Sequence, residues 1–316
     1  MGLWGRRVVI ARNGLMAFLQ TKGVWQLVGM CWITGLVMSA VLFLVGQLLV
    51  ADSVVVQWAG NLNPQLQMFV RLLTTWLEEH PEISVRTTQN ILFHYYSIFL
   101  MPVSIFALGI LVPVLITRDL ASNAIIIYSS KAVSRGDYLL GKFSTAFAVL
   151  AVTWLGPICA AWLVGNLVAP DWRFFWHSRA ALGHAIVFVL GGMIVLSLLA
   201  MGMSSVSMKE KSTPAFWYMW WIFGGVITPI AAHTQPWLRH LSFNYDLNQI
   251  AMAIFRPAND IKIAQDNIPL LGDMLRNIKP ETMEALAAPA FKGAIVALVV
   301  MALLSALIIR RRVKPE

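Results

Sequence analysis

The chain has 316 residues, 58% hydrophobic and only 12% charged, with a mean hydropathy of +0.70. A soluble globular chain carries about a quarter charged residues, so half that share excludes an ordinary water-soluble globule and points to lipid-facing surface. The net charge of +9 does not mark a nucleic-acid binder, because the basic residues flank apolar runs and form no stripe beside stacking aromatics.

The first 22 residues are predicted to form a separate interfacial helix. Trp4, Val8, Leu15 and Leu19 share one face of a helical wheel, while Arg6, Asn13 and Gln20 lie opposite. Arg12 and Ile10 sit on the wrong sides of this wheel, but the segment is basic, as expected of an amphipathic helix lying in the membrane interface. The competing reading is a frayed basic tail.

Six apolar runs follow, at Val24–Val50, Tyr95–Thr117, Phe143–Ala169, Ala180–Met208, Ser212–Ala232 and Gly293–Ile309. Each approaches or exceeds the ~20 residues needed to cross a ~30 Å hydrocarbon layer. None contains Asp, Glu, Lys or Arg, so none carries the penalty of a central charge. The first is too long for the apolar region of a signal peptide. The expected fold is therefore all-α: one polytopic membrane domain over residues 1–316, with six spans. Its thirteen tryptophans suit two membrane interfaces. Pro102, Pro113, Pro157, Pro214 and Pro229 fall within or at the ends of spans, where they either kink helices or reflect the ordinary abundance of proline in membrane helices.

Orientation follows from the basic residues. The N-terminal segment, the 118–142 loop, the Lys209–Lys211 turn and the tail after Arg310 hold 14 Lys/Arg against 4 Asp/Glu. The opposite side holds 10 against 11, so both termini are expected in the cytoplasm of a bacterium, with the chain in its inner membrane. Two segments, 51–94 and 234–292, then lie outside. The first is expected to contain a helix from Asn63-Pro64 to Glu79-His80-Pro81, the second helices near Phe243–Phe255 and Pro280–Ala287. Both are read as small helical caps on the outer face.

Chemistry is sparse. Cys31 and Cys159 both lie in apolar runs and support neither a disulfide nor a thiolate metal site. Gly136-Asp137-Tyr138-Leu139-Leu140-Gly141-Lys142 matches a phosphate-binding glycine loop, but Phe143 stands where that motif needs Ser or Thr, and no strand precedes it. His184, His94 and His233 sit in or near spans without an accompanying carboxylate, and a lone histidine there is more often an interfacial residue. No H-E-x-x-H occurs. No metal, cofactor or catalytic residue is assigned to this chain. An intramembrane hydrolase using a buried serine or histidine is the weakest of the alternatives.

The informative segment is the loop 118–142, where an Ile-Ile-Ile-Tyr core sits between charged ends. An apolar patch in an aqueous position suggests docking on a protein surface. The competing reading is an interfacial fragment packing on its own bundle. Arg118, Asp119, Leu120 and Ser122, then Ser129, Lys131, Val133, Ser134, Arg135, Asp137, Tyr138, Leu140, Gly141, Lys142 and Phe143 carry the pattern. This run resembles the loop between the second and third spans of type-2 ABC exporter permeases. It departs from the family where Asn123-Ala124-Ile125 replaces a common glycine and acidic residue, and where Ala132 replaces a common proline.

The resemblance implies a coupling helix that seats in a groove of a separate ATPase chain, which binds the ATP and magnesium. It also implies an N-terminal elbow helix, and an assembly of two permeases with two ATPases in the lipid bilayer. Carried onto this chain, the ATPase-coupling residues are Arg118, Asp119, Ser122, Ile126, Tyr128, Lys131, Val133, Ser134, Arg135 and Asp137. The elbow residues are Trp4, Arg6, Arg7, Val8, Leu15 and Leu19. The expected function is ATP-driven export of a lipid-like or hydrophobic substrate. The alternative is a membrane anchor that uses the same ATPase to act mechanically on a periplasmic partner.

Overall fold

The computed structural model describes residues 3–47, 80–124, 134–169, 171–207, 209–233, 235–267 and 278–313, with scattered positions between 50 and 79. Among the described residues the fold is all-helical. Helix α1 spans Leu3–Leu19 and α2 Val24–Gln47. The long helices are α3 (Pro81–Ala121), α4 (Arg135–Leu167) and α5 (Arg173–Val206), and α6 covers Thr213–His233. A 3-10 turn at Pro236–Leu241 leads into α7 (Phe243–Phe255). Then come α8 (Pro257–Asn267), α9 (Pro280–Leu286) and α10 (Phe291–Arg312).

Five of these helices, α2, α3, α4, α5 and α10, are long and apolar enough to cross a membrane. The sixth expected span is helical over Thr213–His233 but is not among the five. The long helices overrun the expected spans. At 1.5 Å per residue the 41 residues of α3 reach about 60 Å, twice the ~30 Å hydrocarbon layer. The break expected at Glu79-His80-Pro81 is present: Glu79 is helical, His80 is not, and Pro81 opens α3, as proline does in a first helical turn, 14 residues before the apolar run at Tyr95. Thr87, Gln89, Asn90 and Phe93 on this added stretch are all buried, so packing extends the helix beyond its apolar run.

The 234–292 segment, expected as a helical cap, packs closely on the bundle. Helix α7 threads among the long helices, with Phe243, Leu247, Ala251 and Phe255 all buried. Phe243 stacks on Trp217 of α6 at 5.7 Å, and Phe255 meets Phe188 of α5 edge-on at 6.2 Å. This burial has a physical cause: the Phe-x-x-x-Leu-x-x-x-Ala-x-x-x-Phe spacing gives α7 an apolar stripe that must be covered. Of the other outer helix, Met68, Val70, Arg71, Thr74, Thr75 and Glu79 are helical, while Asn63 and Pro64 lie outside the described residues.

Each of α3 and α4 contains one widened turn, at Pro113–Thr117 and Ala151–Leu155. Such π turns break the regular hydrogen-bond ladder and often mark functional positions. In α3 the break is filled by Ser204 of α5. Its hydroxyl accepts from the backbone N–H of Ile116 (2.8 Å) and Thr117 (3.0 Å) and donates to the Val112 carbonyl (2.6 Å). The Thr117 hydroxyl returns a bond to the Ser204 carbonyl at 2.6 Å. In α4 the Val152 carbonyl accepts from the Trp32 indole at 3.1 Å.

Candidate functional site

The two ends of the 118–142 loop come together at a buried ionic cluster. Asp119 sits in the last turn of α3, and Tyr138 and Lys142 occupy the first two turns of α4. The Lys142 ammonium lies 2.7 Å from Asp119 Oδ2, and the Tyr138 hydroxyl donates to the same oxygen at 2.8 Å. Lys142 also donates to the Val114 carbonyl at 2.9 Å, within the π turn of α3. The i, i+4 spacing of Tyr138 and Lys142 puts both on one helix face, so a single carboxylate receives both. The Gly136–Lys142 stretch is helical throughout with its lysine committed in this way, so the segment does not form a phosphate-cradling loop.

Ser134 starts α4. Its hydroxyl accepts from the Asp137 N–H at 3.1 Å and donates to the Asp137 carboxylate at 2.7 Å, a reciprocal helix cap. Asp137 is itself buried and paired with Arg7 of α1, Nε to Oδ1, at 2.5 Å. Arg135 donates to the Arg310 carbonyl, and to that of Ile309 at 3.4 Å, at the C-terminus of α10. A guanidinium is well placed there, against the negative end of the helix dipole. Arg118 pairs with Glu210 in the turn between α5 and α6 at 2.5 Å, with both side chains about half exposed. Ser122 is exposed and its hydroxyl bonds back to the Arg118 carbonyl at 2.8 Å.

Ile126, Tyr128, Lys131 and Val133 lie outside the described residues, and so does most of the apolar core of the loop. Asn123, just past the end of α3, adopts φ +53°, the left-handed region.

The expected N-terminal helix is present, and its apolar face is shared between the bundle and the outside. Phe18 is buried, Leu15 and Leu19 are half-buried against the core, and Val8 is 59% exposed. The side chains of Trp4 and Arg6 are outside the described set. The face turned to the bundle runs through Arg7, Ile10, Gly14 and Phe18. A Cβ on Gly14 would fall 2.5 Å from Thr145 of α4, and one on Gly141 would fall 2.7 Å from Ile10. These two glycines let α1 cross α4 closely, the same use of small residues that membrane helices make in general. A wheel drawn on hydropathy cannot anticipate a contact face built from glycine and a paired arginine.

Two further polar clusters escaped the sequence reading. His184 on α5 shares a 2.8 Å hydrogen bond with the Asn90 side-chain oxygen of α3, and the Asn90 amide donates to Asp260 of α8. Burial raises the Asp260 carboxyl above its ordinary range. His240 Nδ1 lies 2.5 Å from Asp246 Oδ1, inside the packing of α7, and burial pushes Asp246 up to about 7. His184 thus has a carboxylate in its network, contrary to its reading as a lone interfacial histidine. The partner comes from the 234–292 segment, which the sequence reading assigned to the outer face. Among the described residues no group of three or more His, Cys, Asp or Glu is arranged to hold a metal ion.

No protein-family model matches the chain, and a search of curated proteins returns no match. What the geometry defines, among the described residues, is an all-helical protein with five membrane-length apolar helices and a clamped loop base between α3 and α4.

Proposed function

We propose that this chain is the membrane-spanning permease subunit of an ABC transporter of the type-2 exporter kind, coupling ATP hydrolysis on a separate chain to export of a lipid-like or hydrophobic substrate. Two permeases pair with two ATPases, which carry the ATP and magnesium. On this reading α6 is a further span, giving six in all. Its exposed Phe216, Met219, Ile222, Phe223 and Val226 supply an apolar outer face that fits lipid or a second permease. Both termini are then cytoplasmic, in a bacterial inner membrane, following the surplus of Lys and Arg on that side.

The observation that carries the reading is the way the loop base is tied. Asp119 with Lys142 joins α3 to α4, Arg118 with Glu210 reaches the α5–α6 turn, Arg7 with Asp137 holds α1, and Arg135 holds the end of α10. Force applied to the loop would therefore reach the ends of α1, α3, α4 and α10 and the α5–α6 turn. Coupling requires that two arrangements of these helices bind the ATPase states with different free energies. Asn123 adds support. Its left-handed backbone ends α3 directly after the Arg118–Ser122 run, and asparagine and glycine are the residues that enter that region at least cost.

The test is affinity purification of tagged protein in mild detergent from its native host, followed by identification of co-purifying chains and of substrate-stimulated ATPase activity. A P-loop ATPase should be recovered, and deleting Ile125–Ile127 should abolish recovery. Recovery and coupling that survive the deletion, or labelling of Lys131 from the periplasmic side, would refute the assignment. A second reading, mechanical action on a periplasmic partner, is favoured by the overhang of α3 beyond the hydrocarbon layer. Transport of a defined substrate in vesicles separates the two.

A further inference from the structure

An apolar groove of about 480 Å³ opens between the start of α4, the end of α5 and the end of α10. Its walls include Leu140, Phe143, Leu198, Met201, Ala306 and Ile309, and its mouth carries Arg135 and Arg310. We propose that this groove is a binding site for one anionic phospholipid, with an acyl chain along the apolar walls and the phosphate between the two arginines.

Three features at the mouth favour an anion. Arg135 is held in place by the Ile309 and Arg310 carbonyls, so its charge is fixed at the rim and does not sweep through solvent. Arg310 is exposed, and only its carbonyl takes part in that contact, which leaves its guanidinium available at the groove. The mouth also includes Gly136 in the first turn of α4, where the leading N–H groups of a helix have no intrahelical acceptor and the dipole favours negative charge. The nearest carboxylate on α4, Asp137, is buried and already paired with Arg7, so it does not oppose an anion at the rim.

The walls argue for a lipid over a free anion. Six aliphatic or aromatic side chains have no use for a soluble phosphate, whereas an acyl chain entering from the bilayer covers them. The volume falls within the range of small-ligand sites. Basic pockets between membrane helices are recognised settings for anionic headgroups. The inference requires only that the chain resides in lipid, and it stands apart from the ATPase partnership proposed above.

The experiment is native mass spectrometry of the full chain in mild detergent, offered equal amounts of phosphatidylglycerol and phosphatidylcholine. One phosphatidylglycerol should be retained at activation energies that strip phosphatidylcholine. Arg310→Gln should cut retention at least fivefold. Ala306→Trp, at an exposed position where the indole enters the groove and not the core, should cut it equally with every charge intact. Arg312→Gln should leave it unchanged, because Arg312 does not line the groove. Unfolding midpoints without lipid check that each variant is folded. Equal retention of both lipids, an unaffected Ala306→Trp protein, or equal loss in Arg312→Gln would each overturn the proposal. Competition by soluble glycerol phosphate at matched concentration would overturn it as well, by showing a free-anion site.

Discussion

Asp119 and Lys142 form an ion pair at 2.7 Å whose two side chains are each only 11% exposed. They are separated by 23 positions in sequence, and the intervening loop leaves and returns between them. Removing one member of a buried pair strands the other charge, at a cost of about 3–5 kcal/mol. Asp119→Asn should therefore lower the unfolding midpoint of the purified protein sharply. By contrast, the Arg118–Glu210 pair is half exposed, and such pairs contribute about 0–1 kcal/mol, so Glu210→Ala should barely move the midpoint. Equal effects from the two substitutions would show that the loop base is not held by burial.

Ser204 occupies the π turn of α3 as both acceptor and donor. Ser204→Ala keeps the helix former but removes the acceptor for two buried backbone N–H groups. Leaving such groups unsatisfied costs about 1–3 kcal/mol. The expected outcome is a lower midpoint and faster amide hydrogen exchange at Ile116 and Thr117. Ser204→Gly should lower the midpoint further, because glycine inside a helix costs about 1 kcal/mol relative to alanine.

Much of this arrangement is legible in the sequence, and the reasons are physical. Uncharged runs of membrane length report helices directly, and Phe243–Phe255 was placed correctly from its flanks and spacing. The motif at the loop contains Asp119, Tyr138 and Lys142, and these meet at the loop base. What the sequence could not report is which polar side chains meet across it. Ser204 and Glu210 are unremarkable residues until α3, α5 and the turn after α5 are packed together. The overrun of α3 beyond Tyr95 was hidden because its polar residues satisfy one another in the packed state, as Asn90 does with His184 and Asp260. The part of α1 that crosses α4 at Gly14 and Gly141 is not visible on a wheel, because hydropathy gives glycine no weight, whereas close crossing depends on it.

Gly141 tests that crossing. Its missing Cβ leaves room for Ile10, and overpacking of such a contact costs about 1–3 kcal/mol. Gly141→Leu should lift α1 from α4 and weaken the Arg7–Asp137 pair. Protease protection of the N-terminal segment should fall, while the bulk helix content by circular dichroism stays unchanged. Protection that persists would mean α1 is held elsewhere.

Asp246 gives the clearest dependence on pH. Burial raises its folded value to about 7, against about 3.9 for an unfolded aspartate. The folded state therefore holds more protons between those two values, and stability falls as pH rises through that window. The contribution is complete below about pH 4 and lost above about pH 7. His240, 2.5 Å from Oδ1, opposes this by favouring the ionised carboxylate. Unfolding midpoints measured in steps from pH 4 to 8 should fall with rising pH more steeply in the wild-type chain than in Asp246→Asn. The substitution keeps shape but titrates no proton, so the difference between the two curves isolates this group. Parallel curves would show that Asp246 keeps an ordinary carboxylate value despite its burial.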